Sequence, residues 1–204
     1  MNAYLIIAHR VNTLKGLKNV PTDYGVEIDV RHDKATDTLY LNHDIGTLAG
    51  TYTNLEEYLK DFRHAFIIFN IKEAGIEQRC INLAEKYGIP KSNYFLLDVE
   101  FPYLYRASRS EGVKEIAVRY SEAEPIEMTL AQKGLVKWVW IDTNTKLPLD
   151  TTVKAQLEGF NTALVSPDRW GRPQDIPLYR KSIEEIGFPL TAVMVGMEFA
   201  DLWK

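Results

Sequence analysis

The sequence predicts a compact α/β protein, a (β/α)8 barrel forming a single domain over residues 1–204, and three observations lead there. Short apolar runs of strand length alternate with segments whose apolar residues recur at spacings of three and four. Eight such runs can be counted, and conspicuous charged residues fall at their ends. Near-continuous apolar strands separated by amphipathic helices are what a parallel sheet buried on both faces requires. Eight units point to closure into a barrel, at close to the lower length limit for that fold. An open doubly wound sheet would share the alternation, but the glycine-rich turn of a dinucleotide site is absent.

The expected strands are residues 4–8, 26–30, 66–69, 94–97, 116–118, 138–141, 162–165 and 191–195. Four stripes mark helices between them. Leu55, Tyr58, Leu59 and Phe62 form one; Ile76, Cys80, Leu83 and Tyr87 the next; Val153, Leu157 and Phe160 a third; and Ile176, Tyr179, Ile183 and Ile186 the longest. Thr53 or Asn54 and Asp150 are placed to cap helix N-termini, and Gly88 and Gly187 to end helices. Since the chain ends soon after the eighth strand, the last helix is expected to be a truncated stub over residues 198–204. That truncation could leave an apolar patch open to a second copy, hence to a homo-oligomer.

Composition narrows the class. Hydrophobic residues make up 46% and charged residues 25% of the chain, an ordinary globular balance rather than a disordered or fibrous one. A net charge of −4 gives no long-range attraction to nucleic acid or to an anionic membrane. The one cysteine, Cys80, lies in a helical stripe and reads as a buried structural thiol. No segment has the length of a membrane span and the first apolar run is too short for a signal peptide, so stable membrane insertion is not expected and a cytoplasmic setting is.

The chemistry concentrates between Tyr24 and Asp44. In Val26-Glu27-Ile28-Asp29-Val30 the acids alternate with apolar residues, so Glu27 and Asp29 share one face of a strand. Carboxylates at i and i+2 can converge on one hard cation such as Mg²⁺ or Ca²⁺; a solvated outer face reads the same way. A turn and a short strand, residues 39–41, then bring Asn42-His43-Asp44 back towards the acids, and the first strand ends abruptly in His9-Arg10. A histidine can give or take a proton near neutral pH.

Ala8-His9-Arg10, Glu27-Ile28-Asp29-Val30 and His43-Asp44, in this order and at these spacings, resemble the glycerophosphodiester phosphodiesterase family, and Phe69-Asn70-Ile71-Lys72 extends the likeness to about a third of the chain. The resemblance implies a (β/α)8 phosphodiesterase of the phospholipase-C-like group with a place in lipid metabolism. It implies a metal-assisted hydrolase acting on a glycerophosphodiester-like or other small phosphodiester, with His9 and His43 as the acid–base pair. Glu27, Asp29 and Asn70 are then the ligands of a divalent cation, Mg²⁺ or Ca²⁺. Arg10 and Lys72 face the phosphate, and Arg119 and Trp140 are further substrate-binding candidates, Arg119 equally readable as a strut to Glu122 or Glu124 and Trp140 as core. Asp98, Asp142 and Asp168 read as supporting or structural residues, and His32 and His64 carry no catalytic expectation. The chain departs from the family pattern in having Asn70 where Glu is usual, Val11 where Gly is usual, and only Asn12-Thr13 left of a Pro-Glu-Asn-Thr element. An alternative follows from those departures: a catalytically inactive barrel that binds a phosphorylated small molecule.

Overall fold

The structure is a computed structural model that describes residues 4–45 and 51–204. In chain order the elements are β1 (Leu5–Ala8), α1 (Leu14–Asn19), β2 (Gly25–Asp33), β3 (Thr38–Leu41), β4 (Thr53–Asn54), α2 (Leu55–Asp61), β5 (Phe66–Ile71) and α3 (Glu77–Lys86). They continue as β6 (Tyr94–Leu97), α4 (Phe101–Ser110), β7 (Ala117–Tyr120), α5 (Ile126–Leu130), β8 (Trp138–Ile141), α6 (Thr151–Gln156), β9 (Asn161–Val165), α7 (Ile176–Glu185) and β10 (Ala192–Val195). Short 3₁₀ turns cover Pro167–Trp170, Pro173–Asp175 and Met197–Trp203. Every one of the eight predicted strands is present, and β3 and β4 are an inserted hairpin. The helices α1, α4 and α5 are additional to the four that periodicity marks; α1 and α5 are too short to show a stripe, and α4 leaves Phe101 and Tyr105 exposed.

The chain divides into two compact units, Ala8–Tyr105 and the residues up to Ile7 with Arg106–Lys204. In the first, β2 lies parallel to β5 with Asp29 opposite Asn70, and β5 lies parallel to β6. On its other edge β2 pairs antiparallel with β3, Arg31 opposite Tyr40. Val26, Ile28 and Val30 are wholly buried, as are Ile67, Ile68 and Phe69 on β5. Asn54 caps α2 by accepting the backbone N–H groups of Glu56 and Glu57, which relieves two of the unpaired donors of a helix start. Leu55, Tyr58 and Leu59 then turn inward. Cys80 is buried on α3, and burial pushes its thiol far above the usual range. An inert thiol is the consequence.

In the second unit β7, β8, β9 and β10 form a parallel run, with Arg119 opposite Trp140 and Ile141 opposite Leu164. Asp150 caps α6 by accepting the Val153 N–H at 2.8 Å. The expected terminal stub is the 3₁₀ stretch Met197–Trp203. It is anchored rather than frayed: Trp203 is buried, its indole N–H donates to Ser166 Oγ at 2.8 Å, and Tyr4 packs edge-on against its ring. Gly196 leaves room for two carboxylates: a Cβ there would meet Asp168 Oδ2 at 3.0 Å and Glu198 Oε2 at 2.9 Å, so those side chains would have to shift. Among the described residues no helix is long and apolar enough to cross a membrane.

Candidate active site

The unit Ala8–Tyr105 gathers His9, Arg10, Glu27, Asp29, Asn70 and Lys72 through backbone pairing on both sides of β2. The Val11 N–H donates to the Glu27 carbonyl at 2.8 Å, which runs the segment after β1 alongside the acids. On the other side the Lys72 N–H donates to the Val30 carbonyl at 3.1 Å. At the hairpin edge the Asn42 N–H donates to the Asp29 carbonyl at 3.1 Å, so His43 leaves β3 beside the same strand. These placements follow from register, and the carboxyl ends of parallel strands in α/β proteins are where functional side chains collect.

Glu27 and Asp29 are only 1% and 0% exposed, which excludes the solvated-face reading of their alternation. Each carboxylate is held by neighbours. Glu27 Oε1 accepts from the Asn70 amide at 2.9 Å, and Oε2 from the Arg10 backbone N–H at 2.8 Å. His9 Nε2 stands 4.0 Å from Glu27 Oε2. Asp29 Oδ2 accepts from the Asn12 amide at 2.8 Å, while Asn12 Oδ1 accepts the Asp29 backbone N–H, also at 2.8 Å. Lys72 Nζ is 3.1 Å from Asp29 Oδ1, an ion pair without the alignment of a hydrogen bond. Burial, and next the Asp29 charge, push the Glu27 carboxyl up to about 7 against the opposing pull of Asn70, Arg10 and Lys72.

Arg10 adopts φ of 52°, the left-handed region in which an L-residue is strained. That turn is what accompanies its N–H reaching Glu27 Oε2.

His43 is held from two directions. Its backbone carbonyl accepts from Arg31 Nη2 at 2.8 Å and Nε at 3.1 Å, and Arg31 Nη1 also pairs with Glu73 at 3.3 Å. Its Nδ1 lies 2.8 Å from Asp44 Oδ1, and that bond holds the Asp44 carboxyl below the usual range. An ionised Asp44 accepts only, so Nδ1 is the donor in this contact. The side chain is 40% exposed and so open to substrate.

Of the later residues, Arg119 pairs with Asp142, and Glu122 accepts the Thr145 N–H and hydroxyl. Trp140 is 3% exposed. Asp168 accepts the Gly196 N–H at 3.0 Å and pairs with Arg169 at 3.5 Å. These belong to the second unit. His32 pins a turn through Asp37 at 2.8 Å, and His64 Nε2 bonds the Val20 carbonyl at 2.9 Å. Both are structural.

Asn12 and Arg31 are the residues that sequence reasoning did not assign. Arg31 had a signal: Glu27, Asp29 and Arg31 stand at i, i+2 and i+4 of one strand face. Asn12 follows His9 and Arg10 by only a few positions, and nothing local marks its pairing with a residue 17 positions away.

The chain matches no family model and no curated protein by sequence. Solved structures do resemble it. A glycerophosphodiester phosphodiesterase from Agrobacterium tumefaciens superposes with a TM-score of 0.68 at 12% identity, covering 98% of this chain and 99% of that one. A glycerophosphoryl diester phosphodiesterase from Parabacteroides distasonis gives 0.64 at 14% identity, covering 98% and 85%. A phosphodiesterase from Oleispira antarctica, in complex with the product sn-glycerol-3-phosphate, gives 0.59 at 15% identity, covering 93% and 92%. The likeness settles the fold: over nearly its whole length the chain has the α/β, (β/α)8 fold of the glycerophosphodiester phosphodiesterases.

Proposed function

We propose that the protein is a phosphoric diester hydrolase acting on a small, glycerophosphodiester-like substrate, with His9 and His43 as its acid–base pair. The observation that carries the reading is that His9, Lys72 and the Arg10 backbone N–H meet two buried carboxylates on β2, with His43 leaving β3 beside the same strand, in a fold shared with phosphodiesterases. The Oleispira antarctica protein holds sn-glycerol-3-phosphate, the monoester that a glycerophosphodiester leaves, and that favours a glycerol-bearing substrate here.

In this reading His43 Nε2 takes the proton of the attacking hydroxyl, from water or from a hydroxyl beside the phosphate on the substrate itself. The new P–O bond forms as the bond to the alcohol breaks, and His9, its Nε2 4.0 Å from Glu27 Oε2, gives a proton to the departing oxygen. Water as nucleophile yields a monoester and an alcohol; a neighbouring hydroxyl yields a cyclic phosphate and an alcohol. Positioned acids and bases of this kind contribute about 10²- to 10⁴-fold each. Arg10 and Lys72 carry the positive charge that phosphate oxygens require, Arg10 as a planar fork and Lys72 as a point charge. Arg119 and Trp140 are kept as substrate-side candidates.

The divalent cation implied by the resemblance has Glu27, Asp29 and Asn70 as its expected ligands. Mg²⁺ or Ca²⁺ takes about six to eight oxygens. Here each of the four carboxylate oxygens already has a donor or cation from the chain, and of the five expected ligand oxygens Asn70 Oδ1 alone is buried without one. Among the described residues no group of three or more His, Cys, Asp or Glu side chains is arranged for a metal ion. The residues present therefore do not fit a resident cation, and no step above uses one.

A second reading is a barrel that binds a phosphorylated small molecule without turning it over; the neutral Asn70 beside the acids favours it. One domain over residues 1–204, a cytoplasmic setting, a role in lipid metabolism and self-association accompany the reading as proposals, the last open to light scattering. Phosphorus NMR on a panel of phosphodiesters tests the main one. Appearance of a monoester or cyclic phosphate, absent in His9→Ala, supports hydrolysis. Saturable binding of sn-glycerol-3-phosphate with no turnover of any member would move the assignment to the binding protein.

A further inference from the structure

We propose that the site operates without a resident divalent cation, its positive charge supplied from within the chain by the Lys72 ammonium against Asp29 and by the Asn70 amide against Glu27. The activity side of this inference rests on the phosphodiesterase reading; the binding side does not. Three observations carry it.

The first is occupancy. A cation entering between the acids competes with Lys72 at Asp29 Oδ1, 3.1 Å away, and with the Asn70 amide at Glu27 Oε1, 2.9 Å away. The remaining two oxygens are held by the Arg10 N–H and by Asn12, both at 2.8 Å. The Arg10 and Asn12 bonds also fix the path of the chain after β1, so releasing them is not a side-chain rotation alone.

The second is charge. With Glu at position 70, as the family pattern has it, three carboxylates would balance one divalent cation and one lysine. Asn70 removes one negative charge, so the two acids and Lys72 sum to −1 and a divalent cation would turn that to +1; the charge balance of these almost fully buried acids no longer calls for the cation. Uncompensated charge is what a buried site tolerates least.

The third is polarity of the substituted group. Asn70 does not merely lack a charge; it turns its amide nitrogen, a donor, to Glu27, so the face it shows the acid repels a cation. Its oxygen lies buried without a donor.

Calorimetric titration of the full chain with MgCl₂ and with CaCl₂ tests this without reference to turnover. Wild type is expected to show no saturable binding to about 10 mM, some tenfold above the weakest ordinary protein calcium sites. Asn70→Glu, which restores the third carboxylate and removes the opposing donor, is expected to bind one ion and to melt at higher temperature in its presence. Stoichiometric binding of either ion by wild type, lost in Asp29→Asn, overturns the proposal, and that result needs no variant beyond a folded control. With a substrate in hand, turnover equal within about twofold in chelator and in cation is expected; abolition by chelator with rescue by added cation overturns it. Failure to find any substrate would count against the phosphodiesterase reading alone, because the titration stands by itself.

Discussion

Lys72 Nζ lies 3.1 Å from Asp29 Oδ1, and that carboxylate has no exposure to solvent. The pair is therefore a buried one, in which attraction and desolvation are both large and nearly cancel. Removing one partner is a different matter from removing both. Lys72→Met leaves Asp29 ionised and uncompensated, and is expected to lower unfolding free energy by about 3–5 kcal/mol. Lys72→Met with Asp29→Asn should recover most of that loss. Urea denaturation of the two variants and wild type checks it, and equal stability of the single and double variants would refute the coupling.

Glu27 gives the stability a pH dependence of unusual sign for an acid. Its carboxyl is raised from 4.5 to about 7, mainly by burial, so the folded chain binds a proton there that the unfolded chain has released. The contribution is fully present below about pH 4.5 and is lost as pH rises towards 7. Glu27→Gln should lack this decline, so the difference in melting temperature between wild type and variant should change steadily between pH 4.5 and 7. A difference flat across that range would show that the proton is not held.

If His43 is the base proposed above, Arg31 serves it through position. It clamps the His43 carbonyl with two hydrogen bonds, and Arg31→Met is expected to lower kcat by about 10- to 100-fold, as small misplacements of a catalytic group do, with KM little changed. Faster amide exchange at residues 42–45 in the variant would accompany it. Unchanged kcat would mean that the His43 loop is held by other contacts.

Asn12 both donates to Asp29 Oδ2 and accepts the Asp29 N–H. Asn12→Ala strands two polar groups at a buried residue and should cost about 2–4 kcal/mol. Asn12→Asp should be worse than Ala near neutral pH, because it sets a second carboxylate against Asp29. Thermal melts at two pH values distinguish the two.

The histidines divide cleanly. His9→Ala and His43→Ala should each lower turnover by about 10²-fold or more while leaving the melting temperature near that of wild type. His64→Ala should do the reverse, since its ring bonds the Val20 carbonyl in a buried place. Activity surviving loss of both His9 and His43 would end the acid–base assignment.

The strands were legible because burial on two faces writes itself as an uninterrupted apolar run: residues 138–141 and 94–97 appear at those bounds as β8 and β6. The helix α5 was not, since five residues hold no full stripe. Within the site, Glu27 and Asp29 announce themselves by alternation, and Arg31 continues it. The clamp of Arg31 on His43 depends on the antiparallel register of β2 and β3, which no one strand encodes. A partner of Arg119 escaped notice for a related reason. Glu122 and Glu124 are near in sequence, but Asp142, 23 positions away, is the residue that the parallel register of β7 and β8 brings beside it.

Position 10 carries a conflict between durability and use. Its left-handed φ of 52° costs an L-residue about 1–2 kcal/mol and costs glycine nothing. Arg10→Gly is thus a substitution that an engineer seeking a hardier scaffold would find, and it would delete the guanidinium proposed to face the phosphate. Screening for heat tolerance alone would then select against activity at this residue. A library that scores both properties would retain arginine there and look for its gains elsewhere.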